Sequence, residues 1–489
     1  TGSAATSSTS TPEKKSRAPS PMTRTIRHVA FLVVLAFVAV SLDLVYWQVI
    51  RAPDLAQRAG NPRAAQAQQE IDRGQIVDRH GTVLAKSVRG PNGFTRQYTV
   101  ADLSALIGYS SVRFGQAGIE RSYDDQLSGS AGDLGQALTE LVLQQPRVGD
   151  TLTLSIDAKL QQTADQALGD ALGAAIVLKP QTGEVLALVT KPSFDANRLE
   201  TDMPQLQANP SAPLLDRATQ GLYPPGSTFK IVTASAVLAD NVAAPDTKIN
   251  QTGDTFVVDG FTVRGSNLPR GLSNPTLTQA FQYSCNPCFA QLGLQLGWQR
   301  FTQAADQFGI GKAISFDVPV RSSQLHDPNA DLSRVLLANT AYGQGQLQVT
   351  PLQMALTTAA IANGGNMPQP HVVVRQTTRA GQTVAEFGGG SLGTAVDGKV
   401  AGEVRQMMVD VVEQGSGVLA KIPNVQVAGK TGTAETGGGQ APDAWFTAFA
   451  PANEPRYVVT VIREHKGEGA DQAAPMAKTI LQAALASGD

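Results

Sequence analysis

The chain holds only two cysteines in 489 residues, Cys285 and Cys288, so neither a disulfide scaffold nor a cysteine-rich zinc site can be what holds it together. Histidine is nearly as scarce. His28, His80, His326, His371 and His465 are scattered with no pair at helical spacing, so no histidine metal site is expected. Charge is sparse as well: charged residues make up 16% and the net charge is -2, far from the basic excess of a nucleic-acid binder. No metal, no cofactor and no nucleic-acid partner are therefore expected, and stability has to come from burial. Hydrophobic residues make up 42% of the chain. At roughly 100–200 residues per domain, two or three folded units are expected.

From Val29 the run VAFLVVLAFVAVSLDLVYWQVI is broken by the charged Asp43 and the polar Gln48. It approaches the ~20 apolar residues that a helix needs to cross a bilayer. Lys14, Lys15, Arg17, Arg24 and Arg27 precede it, a bias that keeps an N-terminus in the cytoplasm and sends the remainder outside. Tyr46 and Trp47 suit the outer interface, and Asp43 is read as lying near that boundary. A cleaved signal peptide is the competing reading, but its apolar core spans only about 7–15 residues and no small-x-small site follows this run clearly. The Ser/Thr/Pro-rich stretch before the run cannot build a core and is expected to be disordered. These features divide the start of the chain into a tail at 1–28 and an anchor at 29–50.

Residues 51–148 are turn-rich. Within them RGQIVDRHGTVLA reads as strand, His80-Gly81 turn and strand, which suggests a small β-containing module. From Gly149 the texture changes. TLTLSI alternates like a strand, DAKLQQTADQALGDAL has helical periodicity, and AAIVLKPQTGEVLALVT reads as a hairpin turning at Gly183. Helices follow at PTLTQAFQY, TPLQMALTTAAIANGG and VAGEVRQMMVDVVEQ, and strands at NVQVAGKTGTAE, DAWFTAFAP and RYVVTVIRE, with MAKTILQAALA as a closing helix. Residues 149–489 thus predict an α+β domain with helices around an antiparallel sheet.

The chemistry-bearing residues lie in this second part. In YPPGSTFKIVTASAVLA, Pro224, Pro225 and Gly226 interrupt the chain before an apolar helical run and put Ser227 in its first turn. Lys230 stands three residues on, the same face of a helix, where its amine can reach the Ser227 hydroxyl. Burial of that helix would favour a neutral lysine able to act as a base. An idle Ser-x-x-Lys pair on an exposed helix is equally easy to write by chance. Two later elements weigh against chance. Ser284-Cys285-Asn286 interrupts a helical pattern and supplies a second hydroxyl; Lys430-Thr431-Gly432-Thr433 lies on a strand, where Gly432 removes a side chain that would block a substrate's approach. Cys285 and Cys288 form a C-x-x-C, but without a second pair or a thioredoxin-like setting they read as buried thiols.

Ser-x-x-Lys, Ser-x-Asn and Lys-Thr-Gly in this order resemble the motifs of the penicillin-recognising serine acyltransferases. With RGQIVDRHGTVLA, GQAGIERSYDDQLSG and GQGQLQVTPLQMA, the chain after Val29 is similar to a class B penicillin-binding protein. The resemblance implies a penicillin-binding/β-lactamase-like transpeptidase domain at 149–489, an elongated β-containing pedestal of the dimerisation type at 51–148, and D,D-transpeptidation of peptidoglycan stem peptides. It implies Ser227 as nucleophile, Lys230 as acylation base and Ser284 as proton relay. Asn286 would bond the substrate amide, while Lys430, Thr431, Gly432 and Thr433 would hold the strand side of the substrate and its carboxylate. The backbone N–H groups of Ser227 and Thr433 would form the oxyanion hole. β-Lactams would acylate Ser227, and a polytopic membrane glycosyltransferase would be the partner. A D,D-carboxypeptidase, a β-lactamase and a non-catalytic wall-synthesis scaffold are the alternatives.

Overall fold

The computed structural model describes residues 21–47, 69–91, 93–130 and 147–488. The expected disordered tail up to residue 20, the last residues of the expected anchor and the start of the expected pedestal lie outside these. The chain divides into two units at residues 66 and 67. Described by itself, the first has among its described residues one helix, Pro21–Val45, whose residues Thr25–Val45 are long and apolar enough to cross a membrane. The helix starts ahead of Val29 because nothing in TRTIRH breaks it, and proline is tolerated at a helix start, where its missing N–H leaves nothing unpaired. Tyr46 and Trp47 follow it, ring edge to ring face at 5.6 Å.

The second unit is built on two large sheets, with three two-stranded ones beside them among the described residues. The larger packs strands in the order Thr383–Glu386, Val373–Thr377, Thr151–Leu154, Ile76–Val77, Val83–Gly90 and Gly93–Tyr98. All neighbours are antiparallel except Ile76–Val77 against Thr151–Leu154. This sheet takes strands from both sides of residue 149 and a return strand from beyond residue 370, so the change of texture at Gly149 is not where its pairing ends. Beside it, Glu120 is fully buried and holds two guanidinium groups: Arg73 Nε donates to Oε2 at 3.0 Å and Arg96 Nε to Oε1 at 2.6 Å. Tyr123 OH donates to Asp317 Oδ1 at 2.5 Å, while Asp317 Oδ2 accepts from the backbone of Val373 at 3.1 Å, which fixes the return strand to this region.

The other sheet is fully antiparallel, with the order Ala428–Ala434, Asp443–Ala450, Tyr457–Arg463, Gly173–Leu178 and Val185–Lys191. Its strands are buried on both faces because both are covered. Ala175, Val177, Val459 and Val461 meet the helices Ala158–Leu168 and Ala474–Ala486 on one side. Ala174, Ile176, Val458 and Trp445 face the other side, packed with Lys230–Ala239, Pro351–Ala362 and Gly398–Gln414. That alternation is the two-residue side-chain period of a strand written into two cores. The expected α+β architecture is observed, with the hairpin turn at Gly183 (φ +81°) and Asp157 capping the first helix through the N–H groups of Lys159 and Leu160.

Glu120→Ala is expected to leave the buried Arg96 without its anion and Arg73 with Asp124 alone, and to cost about 3–5 kcal/mol. Chemical denaturation checks this; a loss below about 1 kcal/mol would mean that the cluster is solvated in the folded state.

Candidate active site

Gly226 takes a left-handed conformation (φ +53°), which the two preceding prolines cannot, and turns the chain sharply into Ser227. The turn Gly226–Phe229 is a 3-10 helix, tighter than the α-helical first turn expected, and the α-helix begins at Lys230 and runs to Ala239. Three contacts brace it. Trp445 Nε1 donates to Pro224 O at 3.1 Å, Thr228 Oγ1 to Pro225 O at 2.7 Å, and the Gly226 N–H to Gly343 O at 2.9 Å. Gly343, the first residue of GQGQLQVTPLQMA, has to be glycine: its φ is +90°, and a Cβ there would lie 1.7 Å from Gly226 O. The helix Lys230–Ala239 is buried all round from Lys230 to Leu238, which accounts for its largely apolar composition.

Lys230 is fully buried, and its Nζ donates to Ser284 O at 2.7 Å, to Asn286 Oδ1 at 2.7 Å and to Ser284 Oγ at 3.2 Å. Lys430, also fully buried, donates from Nζ to the same Ser284 Oγ at 2.9 Å and to Thr431 O at 3.2 Å. One hydroxyl thus joins both amines. Burial, and secondarily the neighbouring Lys430 charge, push Lys230 well below the ordinary lysine value; burial alone brings Lys430 down to about 7. Each amine also lies over an aromatic face, Lys230 above Phe289 at 5.3 Å and Lys430 above Phe281 at 5.5 Å. Among the described residues no hydrogen bond joins Ser227 Oγ to Lys230 Nζ, although their spacing on the chain predicts one. The amine is turned to Ser284 and Asn286 instead.

Ser284 adopts φ +62°, a left-handed conformation that costs a residue with a Cβ, and that places its carbonyl and hydroxyl together over the lysines. The loop lies between Leu277–Gln282 and the helix Asn286–Gln307, as the interrupted pattern predicts, with Pro287 in that helix's first turn. The reading of Cys285 and Cys288 as free thiols is wrong: they are joined by a disulfide, with Cα atoms 5.4 Å apart. An i, i+3 separation at a helix start brings the two side chains onto one face, so a pair that cannot scaffold the fold still ties the Ser284 loop to the helix. Asn286 is doubly engaged, since its Nδ2 also donates to Arg264 O at 3.2 Å, at the end of the hairpin strand Phe261–Arg264.

The strand Ala428–Ala434 places Lys430 and Gly432 on its inner side and turns Thr431 and Thr433 toward the cleft. Lys430 lies beneath Ser284. Gly432 makes room for the protein, because a Cβ there would stand 2.9 Å from Pro225 O, Thr228 Cγ2 and Trp445 Cβ. A cleft of about 710 Å³ collects Ser227, Ser284, Asn286, Thr431 and Thr433. It is also lined by residues for which sequence reasoning had no signal: Arg264, Tyr342, Gln344, Ser416, Glu435 and Glu468. Only Gln344 and Glu435 fall in stretches singled out beforehand. Ser416 Oγ hydrogen-bonds Thr431 Oγ1 at 2.7 Å. Chemically, the site offers a half-exposed hydroxyl at a bend, two cool amines able to hold or release a proton, and a strand edge for an extended ligand.

Residues 173–482 match the penicillin binding protein transpeptidase domain, and residues 73–152 match the penicillin binding protein A dimerisation domain. The peptidoglycan D,D-transpeptidase PbpA of Mycobacterium tuberculosis is 33% identical over 95% of this chain and 99% of its own length. The peptidoglycan D,D-transpeptidase MrdA of Acinetobacter baumannii is 32% identical over 81% of this chain and 66% of its own. Among solved structures, the ceftriaxone acyl-enzyme of penicillin-binding protein A from M. tuberculosis superimposes with a TM-score of 0.79 at 32% identity, covering 86% of this chain and 100% of that one. The D,D-transpeptidase domain of a peptidoglycan glycosyltransferase from Eggerthella lenta gives 0.78 at 36% identity, over 86% and 99%. The chain belongs to the penicillin-binding proteins that carry a transpeptidase domain.

Gly343→Ala is expected to push the Gly226 turn out of place and to lower the rate of covalent labelling at the site by roughly 100-fold, the cost of about an ångström of misplacement. Stopped-flow labelling measures it, and a near-native rate would show that the turn is set elsewhere.

Proposed function

We propose that this protein is a peptidoglycan D,D-transpeptidase that works through an acyl-enzyme on Ser227. The observation that carries the reading is the meeting of Ser227, the buried amine of Lys230 and the Ser284 hydroxyl at one cleft edged by Thr431 and Thr433. Relatives over nearly the whole length carry the name D,D-transpeptidase, and related structures hold ceftriaxone, imipenem and penicillin G as acyl-enzymes.

The steps follow from the groups present. A substrate with a D-Ala-D-Ala end lies along the strand Ala428–Ala434, its terminal carboxylate at the hydroxyls of Thr431 and Thr433. The neutral Lys230 amine takes the proton of Ser227 Oγ, which forms a bond to the penultimate D-Ala carbonyl. The N–H groups of Ser227 and Thr433 stabilise the oxyanion, a kind of donor worth about 2.7–4 kcal/mol of barrier each. As the C–N bond breaks, the leaving D-Ala nitrogen takes a proton through Ser284 Oγ, which both lysines contact. An amine of a neighbouring stem then attacks the ester carbonyl and gives up a proton to the Ser284–Lys230 pair, while the C–O bond to Ser227 breaks and Oγ takes a proton back, which leaves the amide cross-link and the free serine. Asn286 holds Lys230 and the hairpin in place and presents its amide to the substrate backbone. A β-lactam presents its ring amide in the same way and leaves Ser227 acylated.

In this reading residues 29–50 anchor the chain with its N-terminus in the cytoplasm. Residues 51–148 form a pedestal and 149–489 the catalytic part outside the membrane, with a polytopic glycosyltransferase as the partner that supplies glycan strands. Positive charge before an apolar span supports the orientation.

Incubation with penicillin G followed by intact-mass measurement and peptide mapping is expected to place one adduct on Ser227 and none on Ser227→Ala. An adduct elsewhere, or rapid release of hydrolysed drug, contradicts the reading. The labelling rate should also fall as pH drops, because protonation removes the Lys230 base. With that group held far below 10.5, the fall should lie well under the range in which ordinary lysines titrate. A rate that climbs steadily to pH ~10 would place the base on an unperturbed amine.

A further inference from the structure

After the strand Tyr457–Arg463 the chain turns back along the cleft, and its course there is fixed by backbone contacts. Gly467, at φ +97°, donates its N–H to Pro442 O at 2.9 Å. Gly469 sits so close to the sheet that a Cβ would lie 2.2 Å from both Gly432 O and Trp445 O. Residue 468 is thereby held beside Thr433. Glu468 stands at the cap position of the short helix Gly469–Gln472, yet its side chain does not cap it. Its Oε2 accepts instead from Thr433 Oγ1 at 2.6 Å. Among the described residues no basic side chain is within ion-pair distance of it.

A threonine hydroxyl has one proton to donate. Given to Glu468, it is not available to a ligand, and Glu468 adds a negative charge where the proposed reaction brings a second carboxylate. Thr431, the other hydroxyl on the strand, is engaged with Ser416. We infer that Glu468 holds the donor-carboxylate position of the cleft and must leave Thr433 before a carboxylate-bearing donor or drug is seated. It is a specificity-determining residue: it opposes binding of ligands through their carboxylate and leaves their other contacts alone. The inference rests on the transpeptidase reading, from which the carboxylate's position is taken.

The test compares second-order acylation rates of penicillin G and of its methyl ester on the whole protein and on Glu468→Gln and Glu468→Ala. Glu468 is exposed, so both variants are expected to fold, with melting temperature as the control. For penicillin G both variants should react roughly fivefold faster, the scale of one exposed charge-assisted hydrogen bond. For the ester, which has no carboxylate to compete, the rate should not change. Acylation of the native protein at Ser227 with no gain in either variant, or an equal gain for drug and ester, overturns this inference alone. A native protein that penicillin G does not label at all overturns the transpeptidase reading and the inference with it.

Discussion

The site depends on one hydroxyl shared by two buried amines. Ser284 Oγ lies 3.2 Å from Lys230 Nζ and 2.9 Å from Lys430 Nζ, and each amine has lost its water to the core. Two ammonium groups so placed repel each other in a medium that screens them poorly, so burial and mutual repulsion both favour giving up a proton. The polar atoms around them are acceptors that either protonation state can use: Ser284 O, Asn286 Oδ1 and Thr431 O. Two amines able to give up a proton and a hydroxyl that joins them are thus held together.

Much of the rest of the second unit serves to hold that arrangement. Ser284 is kept in a left-handed conformation by the loop that ends in the Cys285–Cys288 disulfide, and Lys430 is delivered by a strand of an antiparallel sheet covered on both faces. The turn that carries Ser227 is wedged between that strand and the Gly343 loop, where Gly226, Gly343 and Gly432 each allow backbone to approach backbone. Rigid surroundings of this kind set the geometry of a reacting group more closely than the group's own rotamers can.

The sequence alone carried the three motifs because each sits at a break in periodicity: two prolines and a glycine before Ser227, a helical pattern interrupted at Ser284, and alternation ending in Lys430-Thr431-Gly432. The flanking strands and helices were legible for the same reason, their periods of 2 and 3.6 being strong. Spacing along a helix did not reveal that Lys230 turns from Ser227 toward a loop far along the chain. Nor did alternation tell which face of the strand is the cleft and which, with Lys430 and Gly432, packs against the protein. Glu468 and Ser416 lie in irregular loops, where no local pattern marks what a tertiary contact will select. The strand Val373–Thr377 joins a sheet begun before residue 100, a pairing across a separation that composition does not encode.

The proton on Lys230 is the quantity on which the account turns, and it can be observed directly. With lysine labelled at Cε by 13C, and Lys230 assigned through a Lys230→Met variant, a heteronuclear NMR titration follows the amine by itself. Its midpoint is expected to lie well below 10.5. A resonance that keeps the ammonium shift up to pH ~10 would contradict it.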